Sequence, residues 1–341
     1  MFIDNPSKRL LVSFLIAATN IFSFAFGITI AREDASSDVD RVVAIGPSRT
    51  PVPSARPAPT KPAPKPATPA SAPGVKEVAS SAAHAADAPT IPIAGKGMWI
   101  YEFDLIMDGN VRRIVDVAKN WGLTHLYVRA GTTRSGLNTW PDVLKVLPIA
   151  HAAGLKVIAW YFPYLKNPEA DARRTVAMLR TTVNGHRIDG FAADIETRAE
   201  GTKLSSKRVK QYIDTVRKGT TDAFMIMVPP RPTSYTVRFY PYHLVPRFNA
   251  VAPMVYWGGN DPAKATADAV SYLKRFGRPV APIGQVYDMG PEGGPKGRPK
   301  PPALRRFMNE ARSHGSVGFS FWSWQHSDIP QWVAIRAFPW P

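Results

Sequence analysis

Beyond Gly95, apolar and polar residues alternate between two patterns along the chain. Runs of about eight apolar, β-branched and aromatic residues, typical of buried strands, are each followed by an amphipathic stretch with helical spacing. The alternation repeats eight times, with predicted strands at 97–104, 124–131, 156–164, 190–197, 223–230, 250–257, 279–288 and 317–325. The predicted helices between them include 111–121, 141–153, 169–181, 206–218, 262–276 and 302–314. Only the stretch 231–249, after the fifth strand, has weak helical periodicity.

Strict alternation of strands and helices predicts a parallel sheet with an α/β fold. Eight units in about 250 residues match a closed (β/α)8 barrel, the TIM barrel. Glycines such as Gly122 and Gly154 stand directly before the next strand, where helices commonly end. An open doubly wound sheet is the alternative, but no glycine-rich phosphate-binding pattern follows any strand. In a barrel, chemistry takes place at the carboxyl ends of the strands, so candidate residues are expected there.

The N-terminal segment 1–34 predicts a membrane or export signal. Lys8 and Arg9 precede an uncharged, mostly apolar run over 10–31, which three charged residues end. A run of this length can cross a bilayer, and the basic residues before it keep that end in the cytoplasm. We therefore expect a barrel anchored outside the cytoplasm, in the periplasm or at the cell surface, or secreted if the segment is cleaved. A buried helix of a soluble domain is the alternative.

Residues 35–95 differ from the rest of the chain in composition. They are rich in Pro, Ala and Ser and cannot bury enough apolar area to fold, which predicts a disordered, partly polyproline II linker. Such a linker would hold a domain at 96–341 away from the membrane and within reach of a polymer. The net charge of +17 favours anionic partners. Nucleic acid is not expected among them, because no recognised binding motif accompanies the charge.

Two acidic residues close the fourth predicted strand. Asp194 and Glu196 are two positions apart, so both point into the barrel mouth if either does. Repulsion between adjacent carboxylates raises the pKa of one of them, and such a carboxyl can protonate a glycosidic oxygen near neutral pH. The alternatives are acids neutralised by Arg129 or Arg198, or a pair that holds a divalent metal. We predict Asp194 and Glu196 as catalytic residues that need no metal and no cofactor.

The other strand ends are aromatic or polar. Aromatic rings have flat apolar faces and polar edges that suit sugar rings, and polar side chains can orient a substrate. The predicted substrate-binding residues are Glu102, Asp104, Arg129, Tyr161, Met254, Tyr256, Gln285, Trp322 and Trp324. Trp322 and Trp324 are expected to share one face of the eighth strand. Either Glu102 or Asp104 could instead supply a distant second carboxylate.

The fourth strand resembles that of carbohydrate-active (β/α)8 barrels, the family 18 chitinases and the family 25 lysozymes. The chitinase pattern is D-G-x-D-x-D-x-E, and this chain has Asp189, Gly190, Asp194 and Glu196 in register. Ala192 stands in place of the first inward aspartate. Family 25 lysozymes also carry Asp-x-Glu on strand four, which this chain retains.

The resemblance extends to two further strands and is absent from a third. The chitinases have Met-x-Tyr on strand six and a tryptophan closing strand eight, and Met254, Tyr256 and Trp322 are similar to these. Their Ser-x-Gly-Gly signature on strand two is missing, since Arg129 begins the sequence Arg-Ala-Gly here. The resemblance covers the barrel, about two-thirds of the chain.

The resemblance implies a retaining glycoside hydrolase. Glu196 would be the general acid and then the base, while Asp194 would stabilise a substrate N-acetyl group that attacks its own anomeric carbon. Tyr256 would bind the same group, and Trp322 would form the floor under the sugar. The implied substrate is a polysaccharide with N-acetylhexosamine, such as peptidoglycan or another envelope glycan. A catalytically inactive barrel that binds glycan or organises the envelope is the alternative, which Ala192 favours.

Overall fold

A computed structural model of the chain describes residues 91–341. The predictions for 1–34 and for the linker up to residue 90 lie outside these residues. Ile93 is fully buried and the first strand begins at Gly95, so residues 91–95, predicted as the end of the linker, belong to the folded domain instead. Within 91–341, no helix is both long and apolar enough to cross a membrane.

The strands of the described residues form one closed parallel barrel. The strand segments are β1 (Gly95–Ile100), β2 (His125–Thr132), β3 (Lys156–Phe162), β4 (Gly190–Asp194), β5 (Met225–Val228), β6 (Ala250–Val251), β7 (Met254–Val255), β8 (Ile283–Gln285) and β9 (Gly318–Trp322). Only Ala252 and Pro253 separate β6 from β7, so these are two pieces of one strand. β6 pairs with β5, while β7 pairs with β8. The sheet therefore closes with eight strand positions, which confirms the predicted fold.

Helices cover the outside of the barrel. They are α1 (Val111–Asn120), α2 (Trp140–Ala152), α3 (Pro168–Arg180), α4 (Ser206–Gly219), α5 (Pro262–Lys274), α6 (Pro301–Ser313) and α7 (Ile329–Ala337). β5 is followed instead by two short 3-10 turns, Thr236–Arg238 and Tyr242–Arg247. This agrees with the weak helical periodicity of the sequence there. Tyr242 of this segment donates a hydrogen bond to the carbonyl of Pro230, just after β5.

Local sequence signals explain where the helices begin and end. Side chains that accept a hydrogen bond from a first-turn N–H start five of the helices: Asn110, Asn167, Ser205, Asp261 and Asp328. Gly122 and Gly154 follow α1 and α2 with φ of +76° and +79°, a conformation that other residues adopt with strain. These caps fix where the helices begin and end, and so they set the positions of the loops at the two ends of the barrel.

Most strands end earlier than the hydrophobic pattern predicts. β1 ends at Ile100 rather than 104, β4 at Asp194 rather than 197, and β9 at Trp322 rather than 325. Apolar residues among those that follow, such as Phe103, Ile195 and Trp324, are buried in the loops beyond the strand ends. The alternation of faces along a strand therefore does not extend to those loop residues.

The core has two parts, one inside the barrel and one between the barrel and its helices. Inside, the rings of Trp99 and Tyr127 stack with centroids 4.2 Å apart and an interplanar angle of 3°. Trp99 Nε1 donates a hydrogen bond to Ser320 Oγ at 2.9 Å. This packed layer fills the interior below the mouth, so the barrel is closed beneath its carboxyl end.

Candidate active site

The acidic pair lies where β4 leaves the barrel. Asp194 is the last residue of β4, on the inner face that also carries Ala192, and it is 8% exposed. Glu196 follows two positions later and is partly exposed at the mouth. Asp194 Oδ1 is buried and has no hydrogen-bond partner among residues 91–341. A buried acceptor without a partner is unusual in a folded protein and marks a position where a ligand can donate.

Both carboxyls have raised pKa values. Burial, followed by the charge of Glu200, raises the pKa of Asp194 to about 7, although the Arg129 guanidinium acts to lower it. Burial also raises the pKa of Glu196 well above its ordinary value, with further contributions from Asp194 and Glu200. The two groups interact strongly and titrate as a pair. At neutral pH the pair therefore retains a proton that isolated carboxyls would have lost.

A buried arginine side chain lies beside these acids. Arg129, buried on β2, places its Cζ 4.4 Å from the centroid of the Tyr101 ring and 5.9 Å from that of Trp160. Its Nη1 lies 3.8 Å from Glu102 Oε1. Trp160 is held in turn by a hydrogen bond from Nε1 to the carbonyl of Ile100 at 3.1 Å. The aromatic faces stabilise the buried guanidinium, which keeps a positive charge near Asp194.

Aromatic side chains surround the acids on the other sides. The Trp322 ring lies 5.4 Å from Trp160 and 6.1 Å from Tyr101, centroid to centroid. Across the mouth, the Tyr256 ring makes an edge contact with Tyr287 at 5.5 Å. Burial, then the charges of Tyr287, Asp194 and Glu196, raise the pKa of the Tyr256 phenol well above its usual range. The phenol is therefore a protonated hydrogen-bond donor close to the carboxyl pair.

Two residues near β4 were missed by the sequence prediction. Glu200 is buried in the turn after β4, where its Oε2 accepts hydrogen bonds from Thr197 N at 3.1 Å and from Thr197 Oγ1 at 2.5 Å. Tyr240 donates from its hydroxyl to the carbonyl of Ile195 at 2.7 Å, between the two acids. Glu200 could have been found by applying the strand-end rule to the loop. Tyr240 carries no local signal, since it comes from the weakly helical segment.

A further carboxyl, that of Glu292, lies beyond the end of β8 and was also missed. Tyr287 donates from its hydroxyl to Glu292 Oε2 at 3.2 Å. Burial raises the pKa of Glu292 to about 7, although this hydrogen bond acts to lower it. Tyr287 also contacts Tyr256, so Glu292 belongs to the same side of the mouth. Among residues 91–341, no group of three or more His, Cys, Asp or Glu side chains is arranged to hold a metal ion.

Two predicted aromatic site residues face away from the mouth. Tyr161 was expected to bind substrate, but it neighbours the inward Trp160, so it points to the helices, where it is fully buried and its hydroxyl lies 3.5 Å from Asp171 Oδ1. Trp324 was expected beside Trp322, but β9 ends at Trp322. Trp324 starts a 3-10 turn and packs against Trp332 of α7 with centroids 4.8 Å apart. Neither ring can contact a substrate in the mouth.

Two predicted polar ligands have structural contacts instead. Asp104 is exposed beyond the end of β1, and its carboxylate lies against Gly109 of the same loop. Gln285 is buried at the end of β8, where Oε1 accepts from Gly258 N at 3.0 Å and Nε2 donates to the Tyr287 carbonyl at 3.3 Å. Both the oxygen and the nitrogen of that amide have hydrogen-bond partners, so the side chain connects the segments that follow β7 and β8. Glu102, Met254 and the remaining predicted residues do lie at the mouth.

The other residues of the strand-four pattern have structural contacts. Asp189, at the amino end of β4, accepts from His151 Nε2 at 2.7 Å and from Val157 N at 2.8 Å, and it pairs with Lys156 Nζ at 3.1 Å. It therefore ties β4 to β3 at the end opposite the mouth. Ala192 is fully buried in the barrel interior.

Two cavities lie outside the mouth. One of about 360 Å³ is at the amino end of the barrel, beside Lys96 and Trp340, and one of about 260 Å³ lies between Trp257 and the loop that contains Lys296. Neither is lined by Asp194 or Glu196. The side chains near the acids at the mouth include Tyr101, Met254, Tyr256 and Trp322, each partly exposed.

Comparison with solved structures shows the same barrel in glycoside hydrolases. The chain is similar to a β-galactosidase from the psychrophilic Marinomonas ef1 (TM-score 0.57, 13% identity, 71% of this chain and 58% of that chain). It is also similar to the endo-β-1,4-mannanase of Thermotoga petrophila (0.55, 11%, 72% and 76%). A third is a class V chitinase of Pseudomonas fluorescens Pf-5 (0.54, 11%, 72% and 99%). No protein-family model and no curated protein matches the sequence. At these identities the likeness establishes the fold.

Proposed function

We propose that this protein is a glycoside hydrolase acting on a polysaccharide that contains N-acetylhexosamine. The observation that carries the proposal is the Asp194 and Glu196 pair, with raised pKa values, at the end of β4 among partly exposed aromatic rings. A carboxyl that keeps its proton near neutral pH can protonate the glycosidic oxygen of a leaving sugar. The barrel that the chain shares with solved glycoside hydrolases supports the same class.

In the proposed first step, Glu196 donates its proton to the glycosidic oxygen as that oxygen leaves the anomeric carbon. The N-acetyl carbonyl oxygen of the same sugar forms a bond to this carbon from the opposite face. Asp194 Oδ1, which has no hydrogen-bond partner among residues 91–341, accepts the acetamido N–H. The phenol of Tyr256 donates to the acetamido oxygen before attack, and the Trp322 ring lies under the sugar.

In the second step, a water molecule attacks the anomeric carbon and displaces the acetamido oxygen. Glu196, now a carboxylate, takes the proton of that water and is ready for another cycle. Two successive inversions at the anomeric carbon give net retention of configuration. Proton NMR of the first product formed would reveal the retained anomer.

The proposed place of action is outside the cytoplasm. Segment 1–34 would anchor or export the chain, and the residues up to 90 would act as a spacer between the membrane and the barrel. Peptidoglycan or another anionic envelope polymer is the proposed partner, since a net charge of +17 would draw the protein toward it. Nucleic acid is not a proposed partner.

The test compares purified full-length protein with its Glu196→Gln variant on peptidoglycan, chitin and soluble N-acetylglucosamine oligomers, with release of reducing ends as the readout. The variant should lose activity at least about a hundredfold, because it cannot supply or take the proton, while it keeps its affinity for the oligomers. Glu310→Gln on α6 is the matched control and should keep full activity. Equal turnover by wild type and Glu196→Gln would contradict the proposed role of Glu196.

A barrel that binds glycan without cleaving it is the second candidate. The observation that favours it is Ala192, which places a methyl group where the chitinases carry an inward aspartate. The same experiment separates the two candidates. Oligomer binding without reducing-end release, in wild type and variant alike, would support a binding protein.

A further inference from the structure

Exposed apolar side chains concentrate in one segment beside the mouth. Among residues 91–341, the large hydrophobic side chains with the greatest exposure are Leu105, Tyr235, Val237, Phe239, Ile329 and Val333. Three of them, Tyr235 (56% exposed), Val237 (37%) and Phe239 (43%), lie within five consecutive residues between β5 and β6. A cluster of this kind on a protein surface commonly marks a binding site.

The segment that carries these rings is held in a defined conformation. Thr236 Oγ1 accepts from Thr233 N at 2.8 Å and donates to the Arg231 carbonyl at 2.8 Å, and Thr233 Oγ1 accepts from Thr236 N at 3.1 Å. The two rings contact each other edge to face, with the centroids of Tyr235 and Phe239 5.1 Å apart. The rings are therefore presented to solvent by a fixed turn, so little conformational entropy would be lost on binding.

The same segment is joined to the end of β4. Phe239 directly precedes Tyr240, whose hydroxyl donates to the carbonyl of Ile195, the residue between the two acids. Tyr242, two positions further, donates to the carbonyl of Pro230 just after β5 at 2.9 Å. The segment after β5 therefore begins at the strand end next to that of β4 and contacts, through Tyr240, the residue between the two acids. The exposed apolar cluster lies on this segment, which borders the candidate active site.

We propose that Tyr235 and Phe239 form a stacking subsite for a sugar ring of the same polymer, beyond the sugars that contact Asp194 and Glu196. The C–H face of a pyranose matches the flat face of an aromatic ring, and its hydroxyls remain in contact with water. The subsite would bind a long glycan that extends beyond the mouth and would contribute nothing to a short one. This inference rests on the proposed function, because it takes the occupant to be the substrate polymer.

The test measures affinity rather than turnover. Calorimetry on the full-length Glu196→Gln protein, which would leave the ligand intact, gives the Kd for the N-acetylglucosamine dimer and hexamer. Tyr235→Ala and Phe239→Ala should each weaken hexamer binding about three- to tenfold and leave dimer binding unchanged. Tyr235→Trp should retain hexamer affinity, since it keeps an aromatic face. Val333→Ala, which removes an equally exposed apolar side chain from α7, is the control and should change neither Kd.

Unchanged dimer affinity in the alanine variants also shows that they are folded. Hexamer affinity equal to that of the parent protein in both alanine variants overturns the subsite, and so does a parent protein that does not bind the hexamer more tightly than the dimer. A different result would contradict the hydrolase proposal and leave the subsite standing. A wild-type protein that cleaves no oligomer but shows this ring-dependent preference for the hexamer would keep the subsite and lose the enzyme.

Discussion

Glu200 is the acidic neighbour that the two carboxyls at the end of β4 share. Its charge contributes to the raised pKa values of both Asp194 and Glu196, and two hydrogen bonds from Thr197 hold it in place. It is thus a positioning residue that acts on the proton of Glu196 through electrostatics. Replacing Glu200 with a neutral side chain of the same shape would remove its charge and keep the packing around it.

The variant Glu200→Gln should move the basic limb of the pH profile of kcat/KM to lower pH. Removing a nearby negative charge lowers the pKa of Glu196, so the proposed general acid loses its proton at a lower pH. The amide oxygen still accepts from Thr197, which preserves the turn. Asp222→Asn, an exposed ion-pair partner of Arg187, is the control and should leave the profile in place. A limb that stays at its wild-type pH would argue against the role given to Glu200.

The raised pKa of Asp194 also has a consequence for stability. Its folded pKa of about 7 lies above an unfolded value of about 4, so the folded state binds this proton more tightly. The stability contributed by that proton is full below about pH 4 and is lost as the pH rises through about 7. Between about pH 5 and about pH 8, the free energy of unfolding of the wild type should therefore fall by on the order of 1 kcal/mol or more relative to that of Asp194→Asn. Urea unfolding of both proteins at the two pH values measures the difference. The same change in the free energy of unfolding with pH in both proteins would contradict the expectation.

At the scale of the elements, α7 fixes the loops on one side of the mouth. Asp328 and Gln331 form a reciprocal capping box at its start. Gln331 Nε2 also donates to the carbonyls of Val286 and Pro299, at 3.0 Å and 2.9 Å, at the two ends of the loop after β8. That loop carries Tyr287 and Glu292. The helix start therefore sets the position of one wall of the candidate site.

Asp328→Ala should lower the free energy of unfolding by about 1 kcal/mol, because the first turn of α7 loses the acceptor for the Gln331 N–H. Asp328→Asn keeps an acceptor of the same length and should remain close to wild type. Denaturant unfolding of the three proteins under one set of conditions measures the effect. A loss as large in the asparagine variant as in the alanine variant would show that charge, and not the cap, is responsible.

At the scale of the whole molecule, net charge acts over longer distances than any single contact. The chain carries +17, and several aromatic side chains at the mouth are partly exposed. Charges at the surface attract an anionic polymer before any side chain touches it, and salt screens this attraction. Under the proposed function, the mouth would recognise sugar rings through aromatic faces and hydrogen bonds, which salt affects little.

The KM of the full-length protein for soluble anionic peptidoglycan fragments should rise when salt is raised from 0.1 M to 1 M. The Debye length falls from about 10 Å to about 3 Å over this range, so long-range attraction is largely screened. Neutral N-acetylglucosamine oligomers serve as the matched substrate, and their KM should change little. The same salt dependence for both substrates would mean that net charge does not guide the choice of polymer.

Several parts of the molecule could be predicted from local patterns. The alternation of strand and helix predicted the barrel, and two-residue spacing on β4 brought Asp194 and Glu196 to one end of it. Arg129, Tyr256 and Trp322 were found in the same way, since each lies on the inner face at a strand end. Some failures came past the last strand residue, as at Asp104 and Trp324, and others within a strand, where Tyr161 lies on the outer face and Gln285 has structural partners.

The sequence by itself determined the order of elements, the caps that limit the helices and the strand ends that carry acidic and aromatic residues. These depend on contacts between residues close in the chain, which periodicity and capping rules describe. Tertiary structure alone decided that Tyr240 would meet Ile195 and that Tyr256 would contact Tyr287. Those contacts join separate strand ends, and closure of the barrel creates both the contacts and the burial that raises the pKa values of the acids.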